Sequence, residues 1–135
     1  MQNLLYALIQ VIHNFGAATV VGTTVAAIWL AHGNAGVRHR LSFLLALAWV
    51  TQAVSGLLFG ATTYYFDHQL PDIHGVAVDA LVIKIVCALT GFILAVAYLK
   101  SHSRWSVDRQ NFAWRISLVL GGVALSSAAF LRWFS

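Results

Sequence analysis

Seven polar side chains fall at a similar depth within stretches that are mainly apolar, and two of them can handle protons or metals. His13 lies in the run LIQVIHNFGAATVVGTTVAAIWL, and Lys84 lies in LVIKIV. Imidazole is a proton acceptor near neutral pH and a common metal ligand. A lysine amine held away from water is a base or a counter-charge. Asn14, Gln52, Ser55, Ser126 and Ser127 are hydrogen-bonding groups in comparable settings. None of them can be hydrated by hydrocarbon, so each needs a partner inside the protein.

The elements that must position these groups follow from composition. Of 135 residues, 60% are hydrophobic and 9% are charged, against about 25% charged in soluble domains. A small protein has a large surface, and here too little polar material exists to cover it. The surface is expected to face lipid. Four apolar stretches, each long enough to span with the roughly 20 residues required, run over about 4–31, 41–66, 74–99 and 111–134. The expected fold is an all-α membrane protein, one four-transmembrane-helix bundle. The first stretch has no basic residue ahead of it and no small-residue cleavage pattern, so it reads as a retained helix. Residues 32–40 are expected to form the first loop, and Pro71 is expected to open the third helix.

Charge sets the expected orientation. Arg38, Arg40, Lys100, Arg104, Arg109 and Arg115 fall on one side, and Arg132 alone falls on the other with Asp67 and Asp72. The positive-inside bias puts the basic loops in the cytoplasm and both termini on the periplasmic side of a bacterial-type inner membrane. Tyr6, Tyr64, Tyr65, Trp133 and Phe134 would mark the outer interface, and Trp29, Tyr98, Trp105 and Trp114 the inner one. The net charge of +4 comes from these loops, so nucleic acid is not an expected partner. The lipid bilayer is, with other membrane subunits or further copies of the chain.

Helices in lipid associate through small and polar residues. One such stripe joins His13 to Gly16, Ala17, Val20, Thr24 and Ala27. Others run through Ala48, Gln52, Ser55, Gly56 and Gly60, through Ala77, Ala80, Lys84, Ala88, Gly91 and Ala95, and through Ser117, Gly121, Ala124 and Ala128. Gly56 and Gly60 also form a GxxxG pair. A charged lysine at mid-membrane costs about 2.5–3.5 kcal/mol on insertion scales, so Lys84 is expected to face inward and be paired or neutral. The first and third helices run the same way, which puts His13 and Lys84 at similar depth beside Gln52, Ser55, Ser126 and Ser127. Asp79 lies about 140° around the helix from Lys84 and outside its pairing positions.

Two further groups invite a chemical reading. Asp67, His68, Asp72 and His74 form a metal-like set between the second and third helices, although short polar loops often have this composition. Cys87, the only cysteine, allows no intrachain disulfide. His13 with the following Gly16-Ala17 and Val21-Gly22 resembles the first helix of the copper-resistance D (CopD)-like membrane proteins. His74, Gly75, Asp79 and Lys84 resemble the third helix of that superfamily, which includes the compact HemJ-type protoporphyrinogen oxidases. The resemblance covers two helices of four. It implies that His13 is a haem or metal ligand or a proton-handling residue, with Lys84 its partner or a counter-charge to a haem propionate.

Three functions stay open. One is a redox-associated membrane protein or respiratory-type subunit binding b-type haem or handling a porphyrin or quinone, with His13, Lys84, Gln52, Ser55 and Asn14 around the bound group. A second is a subunit of a larger membrane complex without chemistry of its own. A third is uptake of copper or another divalent metal through His13, His74, His68 and Asp72. Copper(I) prefers thioether or thiolate ligands, and this chain offers only Met1 and Cys87.

Overall fold

The structure is a computed structural model and describes residues 1–134. Four long helices make up almost all of it: α1 (Gln2–Val25), α2 (Ala35–Asp67), α3 (Val76–Ser101) and α4 (Val107–Phe134). Each of the four spans is long and apolar enough to cross a membrane. Each helix packs on its sequence neighbours, and α1 meets α4 to close the ring along its loosest seam.

The helix ends differ from the sequence expectation for local reasons. α2 begins six residues before the expected position 41, because the Asn34 side chain caps it by accepting from the Val37 N–H at 3.1 Å. Most of the expected first loop is therefore helix. α1 runs on without a break into a π turn, Ala26–Leu30, in which the Ala31 N–H reaches back to the Ala26 carbonyl at 2.8 Å. α2 stops at His68, whose left-handed backbone (φ 54°) returns its N–H to the Tyr64 carbonyl. Pro71 does not open the third helix. It lies in the connection, and α3 starts five residues later, after Gly75 at φ +55°. Ser106 heads α4 by accepting from the Arg109 N–H.

The expected small faces turn inward. Gly16, Ala27, Ser55, Ala77, Gly91, Ala95, Ser117 and Gly121 are buried, while Val82, Ile83, Val86, Leu89 and Ile93 are exposed. Gly56 and Gly60 are the exception. Nothing among the described residues lies within 4 Å of a Cβ built at either, so the GxxxG pair makes no close helix contact there. Tyr98 and Trp114, expected at the inner interface, are instead core residues in edge-to-face contact at 5.1 Å. They join Leu45, Trp49 and Ala113 in the main apolar cluster.

Candidate functional site

The site grows from the backbone of α2. Ser55 Oγ donates to the Thr51 carbonyl one turn back at 2.6 Å, with the Gln52 carbonyl a longer second acceptor at 3.3 Å. With its proton committed there, the Ser55 oxygen presents lone pairs to His13 Nδ1, 2.6 Å away across the α1–α2 interface. His13 Nδ1 then carries the ring proton and donates it. That tautomer leaves Nε2 as an acceptor, and Lys84 Nζ from α3 donates to it at 2.9 Å. The result is one directed chain, Lys84 to His13 to Ser55 to the Thr51 carbonyl, across three helices.

Two features hold the imidazole in place. The Gln52 side-chain amide donates to the His13 carbonyl at 2.6 Å. Gly16 makes room for it: a methyl group there would lie 2.6 Å from the Gln52 nitrogen. One turn beyond Ser55, towards the C-terminus of α2, Phe59 meets the His13 ring edge-on at 5.7 Å and stacks against Tyr6 at 6.3 Å. The Tyr6 hydroxyl donates to Thr63 Oγ, whose own proton goes to the Phe59 carbonyl. His13, Gln52 and Ser55 are buried, and Lys84 is half-buried. Lys84 has no carboxylate partner among the described residues. Asp79 is exposed at the start of α3, where a negative charge suits the helix dipole.

Four of the seven expected polar residues thus come together, and three do not. Asn14 is turned outward and accepts from Gln10 on its own helix at 2.7 Å. Ser126 is exposed and bonds back to the Gly122 carbonyl, and Ser127 bonds back to the Val123 carbonyl. α4 therefore contributes no side chain to the chain of hydrogen bonds. The metal-like set disperses as well. His74 pairs with Asp72 in an exposed contact, and among the described residues no three His, Cys, Asp or Glu side chains converge on a metal-sized space. His68 is occupied with ending α2.

Sequence reasoning missed Phe59 and Arg38. Phe59 sits one turn beyond Ser55, so its spacing was the available signal. Arg38 looks like an orienting loop charge, yet it is only 3% exposed. Its Nε donates to the Ala27 carbonyl at 3.0 Å, one Nη donates to Asn111 Oδ1 at 2.7 Å, and the other reaches His32 Nδ1 at 3.5 Å. Arg38 thus ties the π turn after α1 to α2 and α4.

Haem b can be tested on this geometry. Both His13 ring nitrogens are engaged, and Gly16 closes the neighbouring interface against Gln52 and Thr51. The residues as arranged do not fit an axial haem ligand. Space does exist on the far side of Ser55, where a groove of about 280 Å³ is lined by Ile9, Ile12, Val50, Thr51, Val54, Ser55 and Leu58. Comparison with protein-family models, with curated proteins and with solved structures found no match to this chain.

Proposed function

We propose that the chain is a four-span membrane protein, with basic loops in the cytoplasm and termini outside. In this reading the His13–Lys84 pair handles protons for redox chemistry on a lipid-soluble ring compound of the quinone or porphyrin type. The observation that carries the reading is the 2.9 Å approach of Lys84 Nζ to His13 Nε2. An ionisable residue within a spanning helix is expensive to place and is by default a functional group. Two cations this close and remote from water repel strongly, so the pair holds at most one excess proton, on either nitrogen. Such a pair accepts a proton as a quinol or porphyrinogen loses electrons to a second redox carrier.

Two further features support it. The groove beside Ser55 opens on the exposed apolar face of α1 and α2, where a lipid-soluble compound would approach from the bilayer. The resemblance to CopD-like and HemJ-type proteins also centres on a first-helix His and a third-helix Lys. The test is turnover of a quinol or a porphyrinogen by membranes carrying the protein. His13→Ala and Lys84→Met are each expected to lower the rate by about 10²-fold or more, a typical loss for an acid–base group, while helical content stays unchanged. Wild-type turnover in both correctly assembled variants would remove the reading.

A second reading, a subunit of a larger membrane complex, is favoured by a different observation. Gly56 and Gly60 leave open space on α2, which suits a helix from another chain. Under that reading, Gly56→Leu would release the chain from its assembly without unfolding it, as native gel electrophoresis would report.

A further inference from the structure

At the end of the bundle that carries the basic residues, two histidines from different helices face each other. His39 belongs to the first turns of α2, and His102 follows the last residue of α3. Their ring centres are 5.1 Å apart, with the planes inclined at 43°. We propose that His39 and His102 form a two-imidazole site for a divalent transition metal of the zinc class, completed by water.

The separation is the first argument. Metal–nitrogen bonds of about 2.0–2.1 Å meeting at a tetrahedral angle place two imidazole centres about 5 Å apart. The second is the way His102 is prepared. Its Nδ1 donates to the Tyr98 carbonyl at 3.1 Å, and its ring stacks on Tyr98 at 5.4 Å and 15°. Metal-binding histidines commonly donate their other ring N–H to a carbonyl, which fixes the tautomer and directs the free lone pair outward. The backbone is held too, because Gln110 Nε2 donates to the His102 carbonyl at 2.8 Å. The His39 ring makes no hydrogen bond among the described residues and is exposed, so its lone pair is free to turn to a shared ion.

The surroundings limit affinity without closing the site. Arg38 points inward to Ala27 and Asn111, and Arg109 lies over the Trp105 ring at 5.8 Å. Arg40, Lys100 and Arg104 are exposed, so their long side chains can extend away from a bound cation. With two protein ligands and neutral imidazoles, borderline ions such as Zn²⁺ or Cu²⁺ suit the donors. A bound ion would clip the start of α2 to the end of α3.

The full chain, purified without a histidine tag, is titrated with Zn²⁺ alone in a calorimeter and examined by electron paramagnetic resonance with Cu²⁺ alone. One saturable Zn²⁺ site, a Cu²⁺ spectrum coupled to two nitrogens, and a rise in Tm with Zn²⁺ are expected. His39→Gln and His102→Gln should each weaken binding about tenfold or more, with unchanged circular dichroism without metal. The double variant His68→Gln/His74→Gln should bind as the wild type does. The proposal is overturned by no saturable binding, by binding unchanged in His39→Gln and His102→Gln, or by binding lost in the His68/His74 variant.

Discussion

At Gly91, α3 passes so close to the Trp49 indole that a methyl group has no room. A side chain built there would lie 2.4–2.6 Å from three ring atoms, and Trp49 is only 2% exposed. A rigid, enclosed ring cannot move aside as a lysine tip can. Gly91→Ala should therefore destabilise the bundle by about 1–3 kcal/mol, the usual range for overpacking. Gly122→Ala is the matched control, since nothing lies within 4 Å of it, and a helical Gly→Ala change there should be neutral or stabilising by up to about 1 kcal/mol. Unfolding in a mixed detergent reports both, and equal values would remove the packing argument. Residue-scale features like these are only partly legible in sequence. Depth along the helix was enough to bring His13, Lys84, Gln52 and Ser55 to one level, because a rise per residue converts position into height. Depth does not separate neighbours. Asn14 follows His13 by one position, or about 100° around the helix, and so faces away with Gln10. Ser126 shares the expected height and also points outward. Bearing around the helix, rather than height, excluded Asn14 and Ser126, whereas Ser127 is buried and gives its proton to its own helix.

At the scale of elements, the weak point of α1 and the buried charge of α2 explain each other. A π turn shifts the hydrogen-bond ladder by one residue and leaves a carbonyl without its usual partner. The Ala31 N–H goes to Ala26, and Arg38 Nε takes up the Ala27 carbonyl. The carbonyl end of α1 carries partial negative charge, which favours a guanidinium there without any carboxylate. Arg38→Met should leave that carbonyl and the Asn111 oxygen unsatisfied, at a cost of about 2–3 kcal/mol. Arg38→Lys should recover little, because one ammonium cannot reproduce the planar fork that reaches both α1 and α4. Arg40→Gln removes the same charge from an exposed position and should cost less than about 0.5 kcal/mol. Thermal unfolding of the three variants side by side separates a structural arginine from a merely orienting one, and equal Tm losses in Arg38→Met and Arg40→Gln would defeat the assignment. Nothing in the sequence marks this. Arg38 sits among Arg40, His39 and two glycines, and it reads as loop until Asn34 is seen to start α2 early enough to bring it one turn into a helix. The four helices themselves were legible, since hydropathy and length suffice for them, whereas a cap and a π turn depend on backbone geometry that composition does not encode.

For the whole molecule, the distribution of charge predicts which way it sits in a membrane. Arg40, Lys100, Arg104, Arg109 and Arg115 are all exposed towards one end, and Arg132 is the basic residue near the other. Removing Arg38 from the exposed set, because it is buried, leaves five against one, and the bias keeps its sign. Lys and Arg near helix ends resist translocation, so the end with five should stay in the cytoplasm. Single cysteines can read this directly. Cys87 is buried within α3, so a membrane-impermeant maleimide should not reach it in the intact protein. Gln69→Cys, in the exposed connection between α2 and α3, should label in intact cells. Ser103→Cys, at the exposed turn after α3, should label only after the membrane is opened. The same experiment bears on the two polar sites. With this orientation His39 and His102 would meet cytoplasmic metal, while Phe59 and Tyr6 would cover His13 from the periplasmic side. Labelling of Ser103→Cys in intact cells and of Gln69→Cys only after opening would invert the bundle. It would put the imidazole pair outside and turn the aromatic cover of His13 towards the cytoplasm.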